Sequence, residues 1–387
     1  MAGTPLARIL LAALVLVVVL TVLAWAHLRY WVRRLTLALP YVTSEVLPTD
    51  DGARIELRRV PIPGGVKLAA LPPVLLVHGI GANYRNQDLH PDFSLARHLA
   101  SLGRDVWLLN LRSGLGRWTR AEAARVRFAA MVHHDVPQGV ATVLARTGAQ
   151  AVDYVGFSMG GMLLYAALGR TLPEVQVRRA VLVGSPGRVG APARLLPLLR
   201  RVPRWLVPAS RYKRLAHGFA FAAEWMGTPF HRMLYNPTNV SAGLARAALV
   251  NMVEDIPAPL NADFLEWAVA GGDIRVDGAR ALDGLARVRV PALFFAGDAD
   301  QLAPPEAVKA AFEAWGRERE GVTKRMLVMG KDFGHRADYG HGDLAMGTHA
   351  AEELFGPIAR FLGEEAAEAL GREGETEGER GEHAAAS

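Results

Sequence analysis

There is no cysteine among the 387 residues. That excludes disulfides, thiolate metal sites and a cysteine nucleophile, and leaves the compartment open. Charge is missing from one long stretch: Ile9 to Ala26 holds no Asp, Glu, Lys or Arg. Acid is missing from another, because Gly187–Arg214 carries eight bases and none of the opposite sign. No internal repeat and no nucleic-acid motif is present, so the formal net charge of +6 does not by itself imply a nucleic-acid partner. The balance is uneven. The segment Glu364–Ser387 holds eight acids against two bases, which leaves the rest of the chain more basic than the total.

The uncharged run of 18 residues, coiled as a helix, is about 27 Å long, close to the hydrocarbon thickness of a bilayer. Tyr30 and Trp31 follow it among Arg29, Arg33 and Arg34, the residue types that anchor a helix at a membrane interface. Residues 1–34 are therefore expected to be a single-pass membrane anchor. A cleaved signal peptide is the rival, since Ala24-Trp25-Ala26 has the form of a cleavage site, but the apolar run exceeds the usual length for one. Three arginines after the run against Arg8 before it favour a cytoplasmic catalytic domain without fixing the side.

Beyond the anchor the pattern alternates. Ser44–Pro63 reads as a hairpin turned at Asp50-Asp51-Gly52. The wholly apolar Val74–Val77 reads as a strand buried on both faces, 105–111 as another buried strand, and 151–157, 180–184, 289–297 and 324–329 as further strands. Helical stretches lie between them. Asp135, with Pro137 behind it, is expected to cap one helix, and Leu344–Leu362 to form the last. This predicts an α/β fold with a mainly parallel sheet over residues 44–363. Residues 188–286 break the alternation and are too many for a loop, so a helical cap or lid insertion is expected there. The Gly/Glu/Ala-rich tail 364–387 cannot bury a core and is expected to be disordered.

The sharpest signal is Gly156-Phe157-Ser158-Met159-Gly160, a G-x-S-x-G sequence set between a strand and a helix. Small flanking residues allow the strained turn that lifts the Ser158 hydroxyl, and the helix start behind it offers N–H donors. A serine needs a base and the base needs an orienting acid, in the chain order serine, acid, histidine. Asp300, just past the strand end at Gly297, is the preferred acid. Asp298 sits nearer the strand and reads as a turn residue. His341 is preferred to His335 as base, because it directly precedes the last helix, whose start Asp343 can cap. A metal set of His335, Asp338, His341 and Asp343 is the alternative, weaker because its ligands crowd one loop. A backbone N–H in His78-Gly79-Ile80-Gly81, with that of Met159, can hold an oxyanion, while the His78 ring reads as structural.

These residues resemble the α/β-hydrolase superfamily over Ser44 to Leu362. More narrowly, Val77-His78-Gly79-Ile80-Gly81-Ala82-Asn83, the serine motif and Gly340-His341-Gly342-Asp343-Leu344 are similar to gastric and lysosomal acid lipases, and to polyhydroxyalkanoate synthase and depolymerase relatives. The resemblance places the oxyanion donors at Ile80 and Met159 and supports His341. It implies an esterase- or lipase-like serine hydrolase with Ser158, Asp300 and His341 as triad and no cofactor or metal. The expected partners are a small-molecule or lipid ester and a membrane, with no nucleic acid. Acyl transfer by the same triad, or a non-catalytic binding protein on this fold, are the alternatives. Leu111-Arg112-Ser113-Gly114 departs from the usual Arg-Gly-x-Gly. In the insertion, bases interleaved with Trp205 and leucines would suit a lid on anionic headgroups or a solvated basic face. Phe219, Phe221, Trp225, Met226, Phe264 and Trp267 would line an acyl pocket or form the insertion's own core.

Overall fold

The computed structural model describes residues 4–65, 71–190, 196–223 and 233–363. Among the described residues there are ten strands: β1 (Thr43–Pro48), β2 (Arg54–Arg59), β3 (Val74–Val77), β4 (Val106–Asn110), β5 (Val152–Phe157), β6 (Val177–Val183), β7 (Arg275–Val276), β8 (Ala279–Arg280), β9 (Ala292–Gly297) and β10 (Lys324–Met329). Eight of them make one sheet in the order β1-β2-β4-β3-β5-β6-β9-β10. β1 and β2 form an antiparallel hairpin turned through Gly52 at φ 74°, and β2 runs antiparallel to β4. From β4 onward every pairing is parallel.

β3, β4, β5 and β9 are buried on both faces, as continuous apolar runs such as Val-Leu-Leu-Val require, whereas β10, at the edge of the sheet, is only partly covered. One layer of core gathers Leu75, Val77, Tyr154, Met162, Tyr165, Phe294 and Trp315. The other holds Leu76, Val155, Val181, Phe295, Leu354 and Phe361. Because β3, β5, β6, β9 and β10 all point the same way, the segments leaving their C-terminal ends meet at one rim. The residues after Val77, Phe157, Val183, Gly297 and Met329 all emerge there.

Pro5–Leu35 is a single 31-residue helix, apolar and long enough to cross a membrane, and its apolar run is wholly exposed. The segment 188–286 is mostly short helices, among them Tyr212–Phe219, Ala242–Asn251 and Ala258–Val269, with the β7–β8 ribbon near its end. The ribbon turns at Asp277-Gly278, both at positive φ.

Three expectations are corrected. Asp135 does not cap a helix. Helical backbone is continuous from Phe128 to Thr147, and the Asp135 carboxylate is buried, accepting from the Arg112 backbone N–H at 2.9 Å and Nε at 2.8 Å. Arg112, fully buried, also reaches Asp51, so this departure from the family motif is an internal ion network. The last helix is broken: Asp343–Met346 ends at Gly347, whose Cβ would clash with the Asp343 carbonyl, and helical backbone resumes at Ala350. Phe264 and Trp267 pack on Phe128 in the main core, with Trp267 and Phe128 centroids 4.9 Å apart, while Phe221 packs on the N-terminal helix. Trp267 therefore belongs to the main core and not to a separate core of the insertion. Trp225, Met226 and the tail 364–387 lie outside the described residues.

Candidate active site

Ser158 follows β5 directly and adopts φ 51°, ψ −117°, a region L-residues avoid, before the chain enters the helix Met159–Ala167. The glycines around it are dictated by space. A Cβ on Gly160 would lie 2.3 Å from the Val77 carbonyl oxygen, and one on Gly156 would lie 2.5 Å from the Gly161 nitrogen. All nine residues of the helix are buried. Tyr154 donates to the Gly160 carbonyl at 2.8 Å and Tyr165 to the Ser185 carbonyl at 3.0 Å, bracing the turn from below. The Ser158 N–H donates to Val183 O at 2.8 Å, tying the turn to β6.

Asp300 lies two residues beyond the Asp298 that follows β9. Its Oδ1 accepts from the N–H groups of Leu302 and Ala303, both at 2.8 Å, and its Oδ2 contacts His341 Nδ1 at 2.7 Å. The Asp300 side chain is fully buried. With Nδ1–H donated to Asp300, the His341 Nε2 carries the lone pair. Burial works to lower the His341 pKa, yet the charge of Asp300, the hydrogen bond to it and the charge of Asp343 together hold it above the ordinary value. The imidazole meets the Phe157 ring edge-on at 5.2 Å, adjacent to Ser158 in sequence. Among the described residues, neither the Ser158 hydroxyl nor His341 Nε2 has a hydrogen-bond partner. Such contacts often close only when substrate arrives.

The loop after β3 is fitted against this turn. A Cβ on Gly79 would lie 3.1 Å from Ser158 Cβ. Asn86 Oδ1 accepts from the Gly79 N–H at 3.0 Å, and Gln87 Nε2 donates to Val77 O at 2.9 Å. Among the described residues the N–H groups of Ile80 and Met159 donate no hydrogen bond. The His78 ring is structural. Its Nδ1 contacts Gly79 O at 2.8 Å, its Nε2 accepts from the Leu111 N–H at 3.1 Å, and burial drives its pKa down to about 4.

His335 and Asp298 lie apart from the cluster. His335 Nδ1 lies against the Gly330 carbonyl at 3.3 Å, and the exposed Asp298 side chain lies against Gly330. Asp338 accepts from the Lys331 N–H, so His335, Asp338, His341 and Asp343 face different partners. Asp343 is the first residue of its short helix, with Gly342 at the N-cap. Wholly buried, it accepts from Asn236 N–H at 3.1 Å and Asn239 Nδ2 at 2.9 Å, while Gly342 N–H donates to Leu234 O at 2.7 Å. The insertion thus holds the His341 loop. Sequence reading missed Asn86, Gln87 and Asn239. Asn86 and Gln87 bond back to Gly79 and Val77, seven and ten residues away, with no local pattern to mark them. Asn239 reaches Asp343 across 104 residues, and only that carboxylate, two residues from the histidine, signalled that something must satisfy it.

Residues 72–337 match the α/β-hydrolase-fold family. The chain belongs to that family. Among curated proteins it is similar to mouse Lipase member K, 23% identical over 382 residues, covering 87% of this chain and 90% of that protein. It is 31% identical to human Lipase member M over 140 residues and to human gastric triacylglycerol lipase over 142 residues. Those two matches span only 32% and 35% of the relatives' lengths. The similarity to gastric and lysosomal acid lipases is distant. Among solved structures, the crystal structure of a membrane phospholipase A, described as a novel bacterial virulence factor, superposes with TM-score 0.52 at 18% identity, covering 92% of this chain and 97% of that one. The esterase from Exiguobacterium antarcticum gives TM-score 0.51 at 16% identity over 83% of this chain and 99% of its own. These α/β-hydrolase-fold likenesses are to lipases and esterases.

Proposed function

We propose that this chain is a serine ester hydrolase acting on an apolar acyl ester, with Ser158 as nucleophile, His341 as general base and Asp300 as the orienting acid. The observation that carries the reading is the strained Ser158 turn, set at the same sheet rim as a buried histidine–carboxylate pair. In this mechanism Ser158 Oγ attacks the ester carbonyl carbon and its proton passes to His341 Nε2. The carbonyl oxygen becomes an oxyanion held by the N–H groups of Ile80 and Met159, donors that stabilise charge developing only in the tetrahedral state. The alcohol departs with the proton from His341, leaving an acyl-Ser158 ester. Water, activated by the same imidazole, then releases the acid.

Three further features support a lipid substrate at a membrane: the exposed apolar helix Pro5–Leu35, the basic insertion, and the similarity to lipases. The helix would be a single-pass anchor. The likeness to polyhydroxyalkanoate synthases rests on motifs alone, and those enzymes use a cysteine this chain lacks.

Ser158→Ala is expected to abolish labelling by a fluorophosphonate probe and to lower turnover of a short acyl ester by roughly 10³-fold or more, with the fold retained. Full labelling of the alanine variant would end the proposal.

A further inference from the structure

The last turns of the N-terminal helix do not stand free. Leu28, Trp31, Val32 and Leu35 recur at helical spacing and are half-buried, whereas the residues before them are exposed. This stripe packs against the helices Tyr212–Phe219 and Ala242–Asn251 of the insertion. Phe221 meets His27 edge-on at 4.6 Å and stacks with Trp31 at 6.3 Å. Asn251 seals the end, donating from Nδ2 to Leu35 O at 2.9 Å and accepting the Leu37 N–H at 2.9 Å.

The position of this contact has a geometric consequence. The uncharged run ends at Ala26, and the packed segment begins at once, with His27 against Phe221 and the first half-buried residue, Leu28, two positions on, about 3 Å along the axis. If the run fills the hydrocarbon, the insertion beside it sits at headgroup level. There it shows an apolar stripe to solvent. Tyr212, Leu215 and Phe219, at i, i+3 and i+7, are 40%, 51% and 46% exposed, while Ala216 faces inward. Exposed arginines lie on the same two contacting elements: Arg211 at the N-cap and Arg214 within the helix Tyr212–Phe219, and Arg29, Arg33 and Arg34 on the N-terminal helix packed against it. None of the five has an acidic partner among the described residues. Apolar side chains together with unpaired cations suit an anionic lipid surface.

Resting on the anchor reading above, we propose that the face bearing Tyr212, Leu215 and Phe219 lies in the surface of an anionic bilayer, continuous with the inserted helix. The same insertion grips the loop after β3: Asn83 Nδ2 donates to Asn251 O at 3.0 Å, and Glu254 N–H donates to Gly81 O at 2.8 Å. The bilayer contact is thus held within one chain of hydrogen bonds of the donors beside Ser158, and a lipid ester reaches the site from the membrane side.

The absence of native cysteine makes the test direct. The full chain is reconstituted in phosphatidylcholine vesicles with and without phosphatidylglycerol, carrying one nitroxide at Leu215→Cys or Phe219→Cys. Val17→Cys on the apolar helix and Val175→Cys, 83% exposed and just before the N-terminal end of β6, away from the rim that carries Ser158, serve as references. Collision with oxygen and with a water-soluble nickel complex reads the depth. Labels at 215 and 219 are expected to be several-fold less accessible to nickel than the label at 175, and more so with phosphatidylglycerol present. If 17 is at lipid depth while 215 and 219 are as accessible to nickel as 175, the docking face is overturned and the anchor stands. If 17 itself is fully accessible to nickel, the anchor reading fails and the docking face falls with it. Equal depth in both lipids overturns the role of the arginines.

Discussion

A serine held at φ 51° stores strain that a glycine would not. Ser158→Gly is therefore expected to abolish turnover while raising stability by on the order of 1 kcal/mol, read as a higher urea midpoint with unchanged m-value. A loss of stability would mean that the turn is not strained. His341 gives the second prediction at this scale. The base must be neutral, so turnover falls as pH drops through its pKa, and Asp300 and Asp343 hold that value above 6.5. The acid limb of kcat/KM is expected above pH 6.5, and Asp300→Asn is expected to move it down while lowering kcat by roughly 10³–10⁴-fold. The stability linkage runs opposite to activity. A raised folded pKa means that the His341–Asp300 contribution is complete below the unfolded value and is lost as pH rises through the folded one. The pair is firmest where the enzyme is least active.

At the scale of elements, the site depends on how closely a helix start can approach a strand end. Gly160 lets the helix Met159–Ala167 abut β3, where a methyl group would strike a backbone oxygen that no rotamer change can move. Gly160→Ala is expected to cost about 3 kcal/mol or more and to eliminate fluorophosphonate labelling. Gly243→Ala is the matched control. It lies in the helix Ala242–Asn251 with no atom within 4 Å of the new methyl, and is expected to gain about 0.5–1 kcal/mol by helix propensity. Thermal or urea unfolding of the two variants separates steric exclusion from a general intolerance of Gly→Ala. The insertion acts on the same scale, as a clasp: Asn236 and Asn239 hold the His341 loop through Asp343, and Val253–Ile256 holds the loop after β3.

For the whole molecule, the exposed N-terminal helix is the dominant feature. As an anchor it should keep the full-length chain in the membrane pellet through an alkaline carbonate wash and release it only with detergent. Recovery of a carbonate-soluble chain whose N-terminus begins after Ala26 would show a cleaved signal in its place. The helix base, packed on the insertion, joins the apolar element to the hydrolase body without a flexible hinge: Asn251 bonds to both sides of Thr36.

The sequence alone determined whatever is written in short-range pattern. Buried strands appear as runs such as Val74–Val77, the elbow as two glycines spaced around Ser158, and the apolar helix as 18 uncharged residues, because each is fixed by local sterics or by transfer from water. The pairing of Asp300 with His341, expected from chain order and distance past a strand end, is present as a buried hydrogen bond. Tertiary structure alone decided which partner each buried polar group found. Asp135 serves Arg112 instead of a helix terminus, Asp343 serves Asn236 and Asn239 more than a hundred residues away, and Trp267 belongs to the main core instead of a separate core of the insertion. The physical reason is that a buried carboxylate or aromatic ring must be satisfied by whatever the fold brings beside it, and no local pattern encodes a neighbour that distant in sequence.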